Sequence, residues 1–170
     1  MKKLMLIIAV MIGFAANAQA QKGAFELGGS VVLGTGDDFT NYGLGARVRY
    51  SFTDHFRGDL NADYFLKKDG ITMYDLNANL HYLFNLGDSG FRIYPLAGIA
   101  LVHVEADGVE YDDPHVHVKY SGASDTDVAF NLGGGIEFPI ADRLRIFGEV
   151  KEMFMDATRF YISGGITYTF

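Results

Sequence analysis

The sequence contains no cysteine, and only three prolines occur among its 170 residues. Without cysteine the chain can form no disulfide bond and offers no thiol for lipid attachment. These absences exclude a small secreted domain held by disulfides and a lipoprotein anchored through cysteine. The scarcity of proline favours long strands, because proline lacks the amide hydrogen that a strand ladder needs.

Basic residues are also scarce. Apart from Lys2 and Lys3, the chain has 12 lysines and arginines against 21 aspartates and glutamates. Such an acidic chain is poorly suited to binding the phosphates of a nucleic acid, so we expect no nucleic-acid partner.

Only one long apolar run occurs, from Leu4 to Ala16. Two lysines precede it, and two small-x-small sites, Ala16-Asn17-Ala18 and Ala18-Gln19-Ala20, follow it. The run is too short to span a membrane as a helix. It predicts a secretory signal peptide over residues 1–20, cut after Ala18 or Ala20, and a mature domain over residues 21–170 that works outside the cytoplasm.

Glycine and aromatic residues are abundant, with 21 glycines, 14 phenylalanines and 10 tyrosines. From Gly23 onward, apolar and polar residues alternate in eight segments, which predict an all-β domain of eight strands with two unlike faces. The segments are residues 25–33, 42–52, 56–66, 74–84, 91–101, 128–138, 144–150 and 160–170. One face of each predicted strand is mostly apolar and carries no charge.

Alternation alone does not decide which face points inward, because soluble sandwiches and lipocalin-like barrels alternate with the apolar face inside. Three features favour an apolar exterior instead. The predicted strands, of about 10 to 12 residues, approach the length of a tilted membrane strand. Phenylalanine and tyrosine gather near both strand ends, as in the aromatic girdles of membrane barrels. The interior of an eight-stranded barrel has no room for so many aromatic rings. The apolar face is therefore predicted to contact lipid.

Two positions depart from the pattern. Pro95 cannot donate to a strand ladder, which predicts a β-bulge there. Glu152 takes the next apolar-face position after Val150, which predicts that the register is lost or that the membrane ends at this point.

The signal peptide, the eight alternating segments and the ending from Gly164 to Phe170 together resemble the OmpA/OmpX-like family of eight-stranded outer-membrane barrels. The resemblance covers nearly all of the mature chain and implies an eight-stranded antiparallel up-and-down transmembrane β-barrel. It also implies a place in the bacterial outer membrane, with both termini and the short turns in the periplasm and four loops outside.

The same resemblance implies partners. Tyr168 and Phe170 resemble the C-terminal aromatic signal by which such proteins are passed to the barrel assembly machinery. Outer-membrane lipids and lipopolysaccharide would surround the barrel, and host or surface ligands would meet the long loop over residues 105–126. We expect a monomer without a cofactor.

The polar face collects six basic and seven acidic residues, which would be costly inside the barrel unless they were paired. They are Glu26, Arg47, Arg49, Arg57, Asp59, Asp63, Asp75, Arg92, Asp127, Glu137, Arg145, Glu149 and Lys151. They predict an interior ion-pair network, for example with Arg47 and Arg49 between Glu26 and either Asp59 or Asp63. The functional alternative is a narrow ion path, although open aqueous channels belong to barrels with about 16 to 18 strands.

Outer-membrane lipid acyltransferases and deacylases resemble this architecture, but they need a histidine near a serine, with a carboxylate, at the outer membrane surface. The only Asp-Ser pair, Asp88-Ser89, lies in a predicted periplasmic turn, and Ser121, Ser124 and His103 do not make a convincing triad. We expect that the protein is not an enzyme. The sequence favours a structural or surface-interaction role, similar to adhesion, through the external loops. The alternative is a minor porin-like channel for small solutes or ions, and a lipid-modifying enzyme is less favoured.

One further constellation lies in the long acidic loop. The spacing of His115 and His117 places both imidazoles on one side of a strand, so that they could bind zinc or copper with Asp113 as a third ligand. The alternative is a solvated acidic loop in which the neighbouring strands continue above the membrane.

Overall fold

The computed structural model describes residues 22–36, 40–113, 116–120, 122–156 and 158–170. The predicted signal peptide lies outside these residues. Within them, the chain forms strands and one short 3-10 helix over Gly87–Ser89. The strands are β1 (Phe25–Thr35), β2 (Thr40–Ser51), β3 (Phe56–Lys68), β4 (Ile71–Tyr82), β5 (Phe84–Leu86), β6 (Phe91–Ala106), β7 (Val109–Asp113), β8 (Val116–Tyr120), β9 (Ala123–Ala141), β10 (Leu144–Phe154) and β11 (Arg159–Thr169).

Eight of these strands form a closed antiparallel barrel. The order around the sheet is β4, β3, β2, β1, β11, β10, β9 and β6, and pairing between β6 and β4 closes it. Among the described residues, strands β7 and β8 pair only with each other, as a hairpin between β6 and β9. The predicted all-β, eight-stranded antiparallel barrel is confirmed.

Side chains alternate between the barrel interior and its outer surface, since successive residues of a strand point to opposite faces. On β2, Leu44 is 63% exposed and Arg49 is fully buried. On β3, Leu60 is 61% exposed and Arg57 is fully buried. The apolar residues therefore form the outer surface, and the charged residues fill the interior.

The bulge predicted at Pro95 is wrong. Pro95 pairs with Gly134 in an unbroken register with β9. On the other side, Leu96 pairs with His81 and Ile93 pairs with Phe84, so β4 and β5 share one register with β6 and are separated only by Leu83. The missing amide hydrogen coincides with this short interruption of the ladder, and no residue is inserted.

The register is not lost at Glu152 either. Glu152 pairs with Phe160 on one side and with Leu132 on the other, and β10 continues to Phe154. Its side chain is exposed on the outer surface close to the end of the strand. Water at that end can solvate the carboxylate, so the alternation tolerates the charge there.

The two ends of the barrel differ. At the turn end, short connections over residues 52–55, 87–90 and 142–143 join the strands. At the opposite, loop end lies the β7–β8 hairpin, together with a tight turn at Asp69 and Gly70, which have φ angles of 52° and 77°. Positive φ at both positions is typical of a type I′ hairpin turn. Among the described residues, no helix is both long enough and apolar enough to cross a membrane.

Candidate functional site

Three layers of side chains fill the barrel interior between its ends. An arginine cluster lies nearest the turn end, an amide layer lies in the middle, and an apolar plug lies towards the loop end. Each layer follows from the inward positions of the strands, since residues that are register partners meet at the same depth.

The arginine cluster is organised around Glu137 of β9, which is fully buried. Arg57 and Arg92 lie 2.9 and 3.2 Å from its carboxylate oxygens, and Arg49 and Arg145 lie 3.3 and 3.8 Å away. Arg92 is the register partner of Glu137 on β6, whereas Arg57 and Arg49 reach it from the far side of the barrel. A single carboxylate therefore serves four guanidinium groups, which makes it the centre of this layer.

Three further carboxylates complete the cluster. Arg49 donates from Nε to Asp59 Oδ2 at 2.9 Å, and its Nη1 lies 3.8 Å from Glu26 Oε2. Arg47 Nη1 lies 3.5 Å from the same oxygen of Asp59 and 3.3 Å from Glu149 Oε2. Opposite charges thus alternate through the cluster, which offsets the cost of taking these groups out of water.

Two aromatic rings separate the arginines. The Arg47 guanidinium lies 4.1 Å from the centre of the Phe147 ring, and that of Arg57 lies 5.0 Å from the centre of Tyr94. Tyr94 also donates its hydroxyl to Glu149 at 3.0 Å and accepts a hydrogen bond from Arg49 at 3.2 Å. The rings provide both cation–π contacts and packing, which suits a planar guanidinium better than an ammonium group.

The amide layer consists of asparagines joined by hydrogen bonds. Asn131 donates to the side-chain oxygens of Asn77 and Asn79, each at 2.9 Å, and Asn77 donates to Asn61 at 2.8 Å. Lys151 donates to the Asn77 oxygen at 2.8 Å. Each asparagine offers both donors and an acceptor, so these residues hydrogen-bond to one another without carrying charge. Among the described residues, Asn79 Nδ2 and Asn131 Oδ1 find no hydrogen-bond partner.

Two acids and one lysine lie at the loop-end side of the asparagines. Asp63 and Asp75 are register partners on β3 and β4, and Asn77 donates to Asp75. Lys151 reaches them from β10, with its Nζ 3.9 Å from Asp63 Oδ2. A single buried ammonium group thus faces a pair of buried carboxyl groups.

The apolar plug closes the interior towards the loop end. Its members are at most 3% exposed, and they are Val32, Phe65, Met73, Ala100, Val102, Ala129, Met153 and Tyr161. Phe65 and Tyr161 meet edge to face, with ring centres 5.7 Å apart. The lumen is filled by side chains at this level, which is the opposite of what an open aqueous channel requires.

The structure places eleven of the thirteen charged residues named from the sequence among its buried residues. The other two, Arg145 and Asp127, are partly exposed. Arg145 lies at the turn end beside the arginine cluster. Asp127 lies far from it, beside Val102 towards the loop end. Tyr168 and Phe170, named as an assembly signal, are on the outer surface with ring centres 5.0 Å apart.

The proposed metal ligands fall largely outside the described part of the chain. His115 lies outside the described residues, and the side chains of Asp113 and His117 are likewise not described. The backbone places His117 opposite Asp112 and Asp113 opposite Val116 in the β7–β8 hairpin. Among the described residues, no group of three histidine, cysteine or acidic side chains could hold a metal ion.

The serines and histidine considered for catalysis make other contacts. The Ser89 hydroxyl donates to the carbonyl of Leu86 at 3.0 Å within the turn end. His103 Nδ1 lies 2.7 Å from the hydroxyl of Thr126, and its ring stacks on Tyr74. Ser124 is opposite Glu105 at the loop end, and Ser121 lies outside the described residues.

Sequence reasoning missed several residues that build the interior. Tyr94 and Phe147 interrupt the polar face of their strands, and His81 stacks on Tyr94 with ring centres 4.5 Å apart. The sequence marked these residues only weakly, because a single aromatic residue on a polar strand face is equally consistent with a break in the alternation. The residues of the apolar plug also lie at inward positions, and because they are apolar the sequence did not indicate a role for them.

A second candidate site lies at the loop end, where β6 and β9 remain paired beyond the end of β10. Pairing between these strands runs to Ala106 and Ala123, whereas β10 pairs with β9 only from Phe130 onward. Within the described residues, the segment Ala123–Ala129 of β9 therefore has a strand partner on one side only. We call residues 102–107 and 123–129 the loop-end arm, and residues 123–129 its free edge.

The loop-end arm is acidic. Glu105, Asp107 and Asp125 are exposed, and Asp127 is partly exposed. One of these acids is paired, since Asp107 contacts Lys67. The free edge thus combines backbone groups that have no strand partner in the described part of the chain with a negative surface.

Comparison with known proteins agrees with this architecture. The sequence model of a family described as "Outer membrane protein beta-barrel domain" matches residues 6–159. No curated protein matches the chain.

Three solved structures illustrate the likeness in fold. The N-terminal β-barrel domain of Pseudomonas aeruginosa OprF is 16% identical, with a TM-score of 0.63 over 88% of this chain and 98% of its own. Ail, the attachment invasion locus protein of Yersinia pestis, is 14% identical, with a TM-score of 0.61 over 88% of this chain and 100% of its own. OprG from Pseudomonas aeruginosa is 13% identical, with a TM-score of 0.58 over 89% and 98% of the two chains.

Proposed function

Because the chain belongs to the outer membrane protein β-barrel family and so to the bacterial outer membrane, we propose that it acts there by binding surface molecules through its loop-end arm. The single observation that carries this proposal is the free edge, Ala123–Ala129. In the proposed orientation, the turn end and both chain termini face the periplasm, and the arm projects outside the cell. A strand edge with unpaired N–H and C=O groups is a template for pairing with another extended segment.

The charge of the arm limits the partners that fit. Glu105, Asp107, Asp125 and Asp127 would repel a polyanion and attract a basic segment. Ail has been solved with the heparin analogue sucrose octasulfate, which is strongly anionic. The acidic arm of this chain argues for the opposite chemistry, namely an extended peptide segment that carries lysine or arginine.

A minor channel, the alternative from the sequence, is less well supported. The apolar plug fills the lumen between the amide layer and the loop end, and charged side chains fill the layers below it. A catalytic role is not part of the proposal. The His103 ring nitrogen Nδ1 is hydrogen-bonded to the hydroxyl of Thr126, and among the described residues no serine is hydrogen-bonded to His103.

Binding of a designed peptide tests the proposal. The probe is a fluorescent decapeptide of alternating lysine and valine, added to the folded barrel in neutral detergent micelles, with fluorescence anisotropy as the readout. We expect saturable binding that weakens at least about tenfold, or about 1.4 kcal/mol, in Asp125→Lys/Asp127→Lys. A peptide of equal charge with proline at alternate positions should bind more weakly, since it cannot pair as a strand.

The matched control is Asp54→Lys/Asp142→Lys, which changes the net charge equally but at the turn end. This variant should bind the probe like the native protein. Failure of the native protein to bind, or equal weakening in both double variants, would contradict the proposal.

A further inference from the structure

A cavity opens at the turn end, next to the arginine cluster. The loop-end arm lies at the other end of the barrel. The cavity has a volume of about 330 Å³, and its charged lining includes Glu26, Arg92, Asp142, Arg143 and Arg145. We call it the turn-end mouth. Three of its five charged side chains are guanidinium groups, which come from β6, β10 and the connection between β9 and β10.

Arg92 and Arg145 share the carboxylate of Glu137 with two other arginines. Both approach Glu137, which Arg49 and Arg57 also contact. Arg145 Nη1 lies 3.8 Å from Glu137 Oε1, too far for a hydrogen bond, and donates instead to the carbonyl of Gly90 at 2.9 Å. The four guanidinium groups around this carboxylate therefore leave donor capacity at the mouth.

The acids of the mouth do not remove this surplus. Glu26 forms the floor and faces inward to Arg57 and Arg49, at 3.7 and 3.8 Å. Asp142 adjoins Arg143 in the exposed turn, and Arg143 donates to the Tyr168 hydroxyl at 3.4 Å. Arg92 is 7% exposed, and its Nε donates to Asn85 at 2.8 Å. The guanidinium group of Arg92 therefore contacts the buried network through Glu137 and Asn85, and the residue also lines the cavity.

We propose that the turn-end mouth binds an oxyanion group, phosphate or carboxylate, through Arg92, Arg143 and Arg145. Guanidinium groups present planar pairs of donors that match two oxygens of such a group. The concave wall limits the competing water, and the opening leaves room for the rest of a larger molecule. This site is independent of the loop-end arm and goes beyond the proposed function.

The source of the oxyanion can be a free ion, or the headgroup of a lipid from the leaflet next to the turn end. Both share the chemistry that the mouth recognises. A soluble short-chain lipid, dihexanoyl phosphatidic acid, represents the second source in the experiment below, and sodium phosphate and sodium acetate represent the first.

The experiment is a titration of the folded, isotope-labelled barrel in a phosphate-free, uncharged detergent. The readout is the set of backbone amide shifts of Gly90, Arg92 and residues 142–145, at an ionic strength held constant with sodium chloride. We expect saturable shifts with phosphate, with a dissociation constant on the order of 1 mM. Saturation at a lower concentration with the lipid would identify a headgroup as the preferred source.

Two variants test the assignment to these side chains. Arg143→Gln/Arg145→Gln should remove the saturable shifts, and Arg143→Gln alone, in an exposed turn, should weaken them even if the double variant folds poorly. Lys67→Gln/Lys68→Gln removes the same charge at the loop end and should leave them unchanged. The proposal is overturned if no oxyanion produces saturable shifts, if chloride alone reproduces them, or if Arg143→Gln binds phosphate as the native protein does.

Discussion

Arg57 donates from Nη1 to Glu137 Oε1 at 3.1 Å across the barrel interior, and the same nitrogen lies 2.9 Å from Oε2, with both side chains fully buried. Their strands, β3 and β9, are not neighbours in the sheet, so the pair ties opposite walls of the barrel together. The same carboxylate is shared by Arg49, Arg92 and Arg145. Glu137 is therefore the residue that connects the four arginines of the network.

Replacing this carboxylate should be among the most damaging single changes in the interior. Glu137→Gln leaves four arginines without their shared partner, and we expect a loss of about 3 to 5 kcal/mol in the free energy of unfolding. The measurement is urea unfolding of the barrel in lipid vesicles. Glu105→Gln, at an exposed position of the loop-end arm, is the matched control and should change stability by less than about 0.5 kcal/mol. Similar small changes in both variants would contradict the role given to Glu137.

The lipid-facing surface makes a second prediction. Ala62, Ala78 and Ala97 are exposed on the outer face of the central part of the barrel. An arginine at any of them should cost about 2 to 4 kcal/mol, because a cation is poorly solvated at the midplane of a bilayer. Leu66→Arg, on the same face but near the loop end, should cost less than about 1 kcal/mol. Near-zero costs at all three central positions, measured in vesicles, would reject the outward assignment of the apolar face.

Alternation in the sequence was enough to predict strands with two unlike faces, because each inward residue is two positions from the next. The direction of the faces came from the strand lengths, the aromatic residues at the strand ends and the small interior of an eight-stranded barrel. Strand β1 begins at the predicted residue, Phe25, and β9 exceeds its predicted range of 128–138 at both ends. The sequence offered continuation of the neighbouring strands above the membrane only as an alternative, and it did not place the extension of β9. Ser124, Asp125 and Thr126 are polar, as expected outside the membrane whether or not the strands pair there.

The composition of the interior was only partly predictable. Periodicity assigns a residue to a face but does not say which residue on another strand it will meet. Arg57 and Glu137 are 80 positions apart, and only closure of the barrel brings them together. Phe65 and Met153, inward residues of the apolar plug, carry no charge that would have marked them as members of an interior layer.

Inward glycines give a third prediction, because some of them make room for large side chains. A Cβ atom at Gly135 would overlap the Tyr94 ring, whereas a Cβ at Gly148, on the outer face, would approach nothing closer than 3.9 Å. Gly135→Ala should displace Tyr94, weaken its hydrogen bonds to Arg49 and Glu149, and cost about 1 to 3 kcal/mol. Gly148→Ala is the matched control. Equal stability of the two variants in urea titration would mean that Tyr94 is not tightly constrained.

The filled lumen makes a prediction about conductance. In planar bilayers the native barrel should show no steady conductance steps, because the apolar plug and the arginine cluster occupy its interior. A heat-dependent gel shift of the same sample should first establish that the inserted protein is folded, so that a silent bilayer is informative. Reproducible steps of uniform size would restore the channel function.

Hydrogen exchange along β9 tests the central claim, that the protein binds extended segments through the free edge of its loop-end arm. Amides of Ala123–Ala129 that point away from β6 should exchange quickly in the free protein and slowly once the lysine-valine decapeptide is bound, because they gain a strand partner. Amides of residues 132–137, already paired on both sides, provide the internal control. Protection at alternate residues of the free edge is the predicted result, and peptide binding without any protection there would contradict the account.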